Sequence, residues 1–391
     1  MERTLTIQHP ASSIQEPAAS SIEYPPGFAF GYAPARQTSI QHPASSIQQP
    51  ATKKKPFIIP VFLPHAGCPH QCAFCNQSAI TSIERKIPSP EKLHKIVNNF
   101  LKYKGKDRDF VQIAFFGGNF LGLRTADIKS LLREAGKFVT AGSVDSLRFS
   151  TRPDTINNET LDILKPFPVS TIELGVQSMD DNVLAMSKRG HTSADTKKAV
   201  RLLKDRNYEI GLQMMVGLPG DDETKAQLTG RRIADMSPDF VRIYPTVVLA
   251  GSLLAKWYQN GKYAPIPLEQ CITLVKNLYL LFRENDIKVI RMGLQASEDL
   301  EKGSEILAGP YHSAFGHLVF SRIFLDMATS ILNSKKYAQD EIVIKVHPRS
   351  ISKMRGLKNI NIEILKRKFN IKSIKVISEP SMAEDSLIVN K

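Results

Sequence analysis

Short apolar runs and helical patterns alternate six times between Phe57 and Tyr244, and the turns between them are rich in Gly, Pro and polar residues. The runs are Phe57 to Leu63, Phe110 to Phe116, Ser146 to Ser150, Thr171 to Gly175, Glu209 to Val216 and Phe240 to Tyr244. Helical patterns fill the gaps at Pro90 to Tyr103, Thr125 to Val139, Asn157 to Leu164, Asp180 to Asn207 (broken near Gly190) and Glu223 to Met236. Parallel strands need a long crossover, usually a helix, so this alternation predicts an α/β fold with a parallel sheet, either barrel-like or doubly wound. In a parallel barrel the chemistry gathers at the C-terminal ends of the strands. The cysteine, Gly-Gly-Asn, Arg152 and Gly217 motifs described below sit at the C-terminal ends of these runs.

The flanks differ from this middle. In the first 52 residues, Ile7 to Gln15 (IQHPASSIQ) recurs as Ile40 to Gln48, and Pro returns in each unit. Proline breaks helices, and a Ser, Pro, Ala and Gln-rich segment cannot bury a core, so residues 1–55 are expected to be a disordered tail. The barrel is expected over 56–250 and a C-terminal extension over 251–335, with amphipathic helices at 267–285 and 315–333 flanking a strand at Lys288 to Met292. A small α+β module is expected over 336–391, with strands at Ile342 to Val346 and Ser373 to Ile377 around two helices, the second at Lys358 to Phe369. No stretch approaches about 18 uninterrupted apolar residues, so no membrane span is expected. No basic stretch followed by an apolar one opens the chain, and a cytoplasmic protein is expected.

Three of the four Cys fall within eight residues, at Cys68, Cys72 and Cys75. That spacing suits metal or cluster binding in a reducing compartment, and no disulfides are expected. Three thiolates on one loop can hold three irons of a [4Fe–4S] cube and leave the fourth open to a chelating molecule. Zinc is the alternative, with His65 or His70 as a fourth ligand. Gly117-Gly118-Asn119 follows the second run, and its two Gly let the backbone approach a ligand. Ser150-Thr151-Arg152-Pro153-Asp154 closes the third, and an Arg there suits a carboxylate. Glu173, in Glu-Leu-Gly-Val-Gln-Ser ending at Ser178, is flanked by apolar residues and is either paired or functional. Gly217 lies in Met-Met-Val-Gly-Leu-Pro-Gly after the fifth run, where its lack of a side chain permits close packing.

The Cys spacing resembles the signature of the radical S-adenosylmethionine (radical SAM) superfamily, with Phe74 at the aromatic position usual before the last Cys. The resemblance implies a partial (β/α)6 barrel whose reduced [4Fe–4S] cluster cleaves S-adenosylmethionine to a 5′-deoxyadenosyl radical. It implies Cys68, Cys72 and Cys75 as cluster ligands. It implies Phe74, Gly117, Gly118, Asn119, Ser150, Arg152, Glu173, Gln177 and Gly217 around the cofactor, with Asn119 replacing an acid usual in the Gly-Gly motif. An electron donor such as flavodoxin or ferredoxin goes with that chemistry. The motif series that includes Lys188-Arg189-Gly190-His191-Thr192, Arg242-Ile243-Tyr244-Pro245-Thr246 and Ala308-Gly309-Pro310-Tyr311-His312 resembles the radical SAM domain of the catalytic subunit of Elongator and its shorter bacterial relatives. Elongator's subunit modifies tRNA through a further acetyltransferase domain, for which about 70 residues after the resemblance are too few. His191 is a candidate proton carrier or phosphate contact, or an exposed loop residue with no role. Tyr244 is expected at the barrel mouth, where it contacts substrate or packs with its hydroxyl bonded. Lys188, Arg189, Arg242 and Arg291 are candidates for a polyanion-binding rim.

The chain carries 52 Lys and Arg against 38 Asp and Glu, a net charge of +14, which makes a polyanionic partner plausible. Lys345 to Lys375 alone holds ten basic residues and one acid. A helix, a basic turn and a helix between two strands resemble a KH-type RNA-binding module, whose Gly-x-x-Gly turn grips a phosphate backbone. Here Asn359 stands for the second Gly, and Lys353, Arg355, Gly356, Lys358 and Arg367 are the candidate RNA contacts. The expected activity is therefore radical SAM modification of RNA, tRNA in particular. Radical SAM chemistry on a small molecule, as in porphyrin metabolism, and a non-catalytic zinc-containing RNA-binding protein are the alternatives.

Overall fold

The structure is a computed structural model that describes residues 56–69, 71–76, 86–104, 110–294, 305–334 and 341–390. The repeat tail expected over 1–55, and His70 as a zinc ligand, lie outside the described residues.

The first strand, β1 (Phe57–Phe62), alternates buried and half-buried residues and carries Pro60. Proline cannot donate to a ladder, and β1 pairs only with β2 (Val111–Phe116), at the edge of the sheet where that is tolerated. Between them, α1 (Pro90–Leu101) starts on a Ser89 cap whose hydroxyl accepts from the Lys92 amide, and it buries Leu93 and Val97, one turn apart. After β2 come α2 (Thr125–Thr140), β3 (Ser146–Thr151), α3 (Asn158–Leu164) and β4 (Val169–Gln177). The chain continues through α4 (Asp181–Met186), α5 (Ser193–Lys204), β5 (Glu209–Val216), α6 (Glu223–Asp235) and β6 (Phe240–Pro245). A short strand, β7 (Val248–Leu249), leads to α7 (Leu253–Gln259), α8 (Leu268–Glu284) and β8 (Lys288–Met292). The little strand β9 (Ile306–Ala308) pairs antiparallel with β7.

One parallel sheet runs in the order β1-β2-β3-β4-β5-β6-β8. A doubly wound sheet reverses its strand order at a switch point. This order never reverses, so right-handed crossovers put the helices on one face and the sheet curls as a partial barrel. The expected six strands are present, and Lys288–Met292 adds a seventh by pairing parallel with β6. The core lies between the sheet and its helices. Ile128, Leu131, Leu132 and Ala135 of α2, for example, repeat at helical spacing against the strand residues Ile113, Leu147 and Phe149.

A second apolar cluster lies at the C-terminus. There β10 (Glu341–Val346) pairs parallel with β11 (Ser373–Ser378) and antiparallel with β12 (Leu387–Asn390). Helices α10 (Ile351–Arg355) and α11 (Ile360–Phe369) cover this sheet. The 20-residue helix α9 (Phe315–Ser334) belongs to both clusters, giving Phe315, Val319 and Ile323 to the first and Phe324, Leu325, Ala328 and Leu332 to the second. By length and composition α9 alone among the described helices could cross a membrane. Its contribution to two cores accounts for that apolar character. Asn361 ties the pieces, donating from Nδ2 to Ser321 O at 2.9 Å and to Met354 O at 3.1 Å.

Candidate active site

The cysteine loop leaves β1 through a tight turn in which His65 (φ 51°) and Gly67 (φ 70°) take left-handed backbone conformations. Cys72 is buried, and Cys68 and Cys75 are half-buried. None of the four cysteines forms a disulfide. The loop is held from two distant segments. The Ala73 amide donates to Ser187 O at 3.0 Å, and Ala73 O accepts from the Leu254 amide at 2.7 Å. Asn76 Nδ2 reaches Ala250 O at 2.6 Å. Phe74 packs with Val248, Leu254 and Ala255.

Three glycines interlock this loop with the Gly-Gly-Asn turn after β2. A Cβ on Gly67 would sit 2.1 Å from Asn119 O, one on Gly118 would sit 2.2 Å from Ala66 O, and one on Gly122 would sit 2.2 Å from Gly67 O. Gly118 thus lets the cysteine loop itself come close. Gly117 keeps ordinary contacts and is required for its positive φ of 105°. Asn119 is 1% exposed. Its Oδ1 accepts from Thr151 Oγ1 at 2.7 Å, the Arg152 amide at 3.0 Å and Thr155 Oγ1 at 3.1 Å, while Nδ2 donates to Gly67 O at 3.0 Å. An amide meets both demands at once, accepting from β3 and donating to the cysteine loop, which a carboxylate could not.

Arg152 is buried and grips Asp154 through two hydrogen bonds of 2.9 Å. Ser150, one position from the end of β3, is half-buried. Gln177 ends β4 with φ 67°, at a break in register between β4 and β5, and its Oε1 accepts from Gln213 Nε2 at 3.3 Å. Strained backbone of this kind clusters at working sites. Gly217 (φ 76°) faces Ile266, whose Cγ2 lies 2.9 Å from where a Cβ would be, and its carbonyl accepts from Tyr263 OH at 2.6 Å. Its bare face therefore packs against protein.

His191 overturns the reading of an exposed loop residue: it is 5% exposed, with Nε2 donating to Val176 O at 3.3 Å. Burial, with the charges of Arg189 and Arg152 close by, pulls its pKa down to about 4. It is a neutral imidazole at pH 7 and not a cationic phosphate contact. The rim of four basic residues is corrected as well, because Arg189 and Arg242 point inward while Lys188 stays exposed. Arg189 is 6% exposed and donates from Nη1 to Cys72 Sγ at 3.1 Å and from Nη2 to Gly175 O at 2.6 Å. Arg242 pairs with Glu173, from Nε to Oε2 at 2.9 Å, and lies 3.4 Å from Tyr244 OH.

Glu173 is paired: it binds Arg148 on one side and Arg242 on the other. To reach Arg242 it crosses β5 at Gly211, where a Cβ would come within 3.1 Å of its Cγ. Arg148 extends the network to Gln112 Oε1 at 3.1 Å, and Gln112 bonds Ser146, Ser170 and Thr171. Sequence reasoning left out Arg148 and Gln112, although a charge inside the short strand Ser-Leu-Arg-Phe-Ser was a signal. Two groups result. Cys72, Asn119, Arg152, Gln177, Arg189 and His191 gather around the cysteine loop, while Glu173 and Tyr244 join Arg148 and Arg242. Cys271 belongs to neither; burial in α8 pushes its thiol up to about 12 and keeps it protonated.

The loop's chemistry fits an iron–sulfur cluster: three thiols at the mouth of a parallel sheet, one with a guanidinium aimed at its sulfur.

Comparisons with known proteins agree. The model of the radical SAM superfamily matches residues 62–230, and that of its C-terminal domain matches 238–324. An uncharacterized protein of Methanocaldococcus jannaschii is 31% identical over 57% of this chain and 71% of its own length. The tRNA uridine(34) acetyltransferase of Dehalococcoides mccartyi is 27% identical over 51% of this chain, which spans only 50% of that relative's length. The structure of the archaeal Methanocaldococcus infernus Elp3 lacking its N-terminus shares the fold, with a TM-score of 0.55 at 22% identity over 68% of this chain and 62% of that one.

Proposed function

This chain belongs to the radical SAM superfamily, and from that premise we propose that it is an RNA-modifying enzyme whose substrate is tRNA. Superfamily members are enzymes that hold a [4Fe–4S] cluster and S-adenosylmethionine, which sets aside the reading of a non-catalytic zinc protein. The reduced cluster would supply one electron to bound S-adenosylmethionine, whose sulfonium C–S bond would break to leave methionine and a 5′-deoxyadenosyl radical able to abstract hydrogen from substrate. Cys68, Cys72 and Cys75 are the residues that would hold it. Asn119 locks the cysteine loop to the end of β3, and Arg152 and Gln177 lie buried at the ends of β3 and β4. The required electron comes from a low-potential carrier of the flavodoxin or ferredoxin class.

The observation that carries the RNA reading is the turn between α10 and α11. Gly356 (φ 72°), Lys358 (φ 51°) and Asn359 (φ 62°) all take positive φ, so Asn359 adopts the left-handed conformation a second Gly would have supplied. Arg355 and Lys358 are exposed on this turn, Arg367 is exposed on α11, and Lys353 rests its ammonium 5.0 Å from the Phe320 ring. A tight basic turn between two helices suits a phosphate backbone. In this reading residues 336–391 hold the RNA and 56–335 do the chemistry. The relatives named as tRNA uridine(34) acetyltransferases support tRNA as the substrate class.

The test is filter binding of bulk tRNA by wild type and by the Arg355→Glu/Lys358→Glu variant, across salt concentrations. Removing two phosphate contacts is expected to weaken binding at least tenfold at low salt and to flatten its salt dependence. Equal binding by both proteins would refute the assignment. Formation of 5′-deoxyadenosine that bulk tRNA fails to stimulate would move the substrate to small molecules.

A further inference from the structure

Arg189 stands beside Cys72 in the cysteine loop. Its two terminal nitrogens are split between Cys72 Sγ (3.1 Å) and Gly175 O (2.6 Å), so the carbonyl aims the fork and the sulfur receives it. Gly175 makes room: a Cβ there would lie 3.3 Å from Arg189 Nη2 and 3.0 Å from Gln177 Nε2. The segment carrying Arg189 is fixed to the same loop, since Ser187 O accepts from the Ala73 amide at 3.0 Å, and it is held to α4 by the Arg189 amide, which donates to Leu184 O at 3.0 Å. Cys72 is 7% exposed and Arg189 6%, so water screens the contact poorly. Cys72 is the middle cysteine of the three.

We propose that Arg189 is a positioning residue that sets the redox poise of the cluster by donating a charged hydrogen bond to Cys72. The step concerned is the gain of one electron by the cluster from a low-potential one-electron donor. No bond to Cys72 breaks and no proton moves. The cluster and its thiolates become more negative by one charge. A buried guanidinium bonded to one of those sulfurs favours the more negative state, and hydrogen bonds to cluster sulfurs together with burial are the protein's means of shifting such potentials. Its removal therefore lowers the reduction potential. Lysine would keep the charge but cannot hold the carbonyl and the sulfur with one planar fork.

The test compares wild type, Arg189→Met and Arg189→Lys, each reconstituted anaerobically and analysed for iron and acid-labile sulfide. The reduced fraction is read by electron paramagnetic resonance at fixed applied potentials, with no S-adenosylmethionine or RNA present. Arg189→Met is expected to lower the ratio of reduced to oxidised cluster about tenfold at a given potential, a shift of about 59 mV for a one-electron couple. Arg189→Lys should fall between. A full cluster with the wild-type potential in Arg189→Met would overturn the proposal. So would loss of iron from both variants in a folded protein, which would make Arg189 a scaffold only. A measurement on unmutated protein keeps the test independent of folding: with 15N-guanidinium arginine, the reduced cluster should show a hyperfine coupling to 15N, and its absence would also overturn the proposal. The outcome is independent of which substrate the enzyme modifies.

Discussion

Replacing Asn119 by alanine tests the idea that one buried amide locks the cysteine loop to the strand beside it. The side chain makes four hydrogen bonds at 1% exposure, three accepted and one donated. Two of its partners, the Arg152 amide and the Gly67 carbonyl, are main-chain groups that cannot turn away. A buried polar group left unpaired costs about 1–3 kcal/mol. Thr155 still has Arg152 O as an acceptor at 2.8 Å, so its hydroxyl loses little. Water entering the vacated space recovers part of the rest. The expected loss is about 2–4 kcal/mol, a large fraction of the ~5–15 kcal/mol that separates folded from unfolded protein. At an m-value of about 3 kcal/mol/M, it lowers the urea midpoint of the metal-free protein by roughly 1 M. Iron bound after reconstitution should fall with it, because Gly67 lies next to Cys68. A urea midpoint within about 0.2 M of wild type, together with full iron content, would refute the reasoning.

Glu173→Ala leaves Arg148 and Arg242 as unpaired buried charges, and breaking such a pair costs about 3–5 kcal/mol; thermal unfolding should show it, and a variant as stable as wild type would mean that the arginines find other partners. His191 gives a pH dependence of definite sign: its folded pKa of about 4 lies below the ordinary 6.5, so the unfolded chain binds the proton first as pH falls. Stability present above pH 6.5 is then lost between pH 6.5 and 4, by about 3 kcal/mol at 1.36 kcal/mol per pKa unit, and His191→Gln should flatten that part of the curve. Gly118→Ala drives a Cβ to 2.2 Å from Ala66 O and should displace the cysteine loop, seen as loss of bound iron in a protein whose far-ultraviolet circular dichroism is unchanged.

What the sequence disclosed was whatever local periodicity carries. The six strands and their helices appear close to where the apolar runs placed them, because a buried parallel strand and an amphipathic helix each write their pattern within a few residues. The seventh strand lay in plain view at Lys288–Met292, but its partner β6 is separated from it by β7, α7 and α8, so its place in the sheet was hidden. The four-residue strand β12 was too short to register. In the site, the cysteine loop was legible because three thiols in eight residues have few other uses. Arg189 and Arg242 looked like surface charges because their partners, Cys72 and Glu173, are far away in the chain and meet them only after folding. His191, set between a basic pair and a run of polar residues, gave no local sign of burial. Gly118 was recognisable as a residue with a close neighbour, though the neighbour proved to be the cysteine loop's own backbone.

The central claim is that the three-cysteine loop supports reductive cleavage of S-adenosylmethionine. Its most direct test is the yield of 5′-deoxyadenosine from anaerobically reconstituted protein given dithionite and S-adenosylmethionine, with Cys72→Ser run in parallel. The account predicts 5′-deoxyadenosine from wild type and none above background from Cys72→Ser. No product from wild-type protein that carries four irons and four sulfides, or equal product from both proteins, would contradict it.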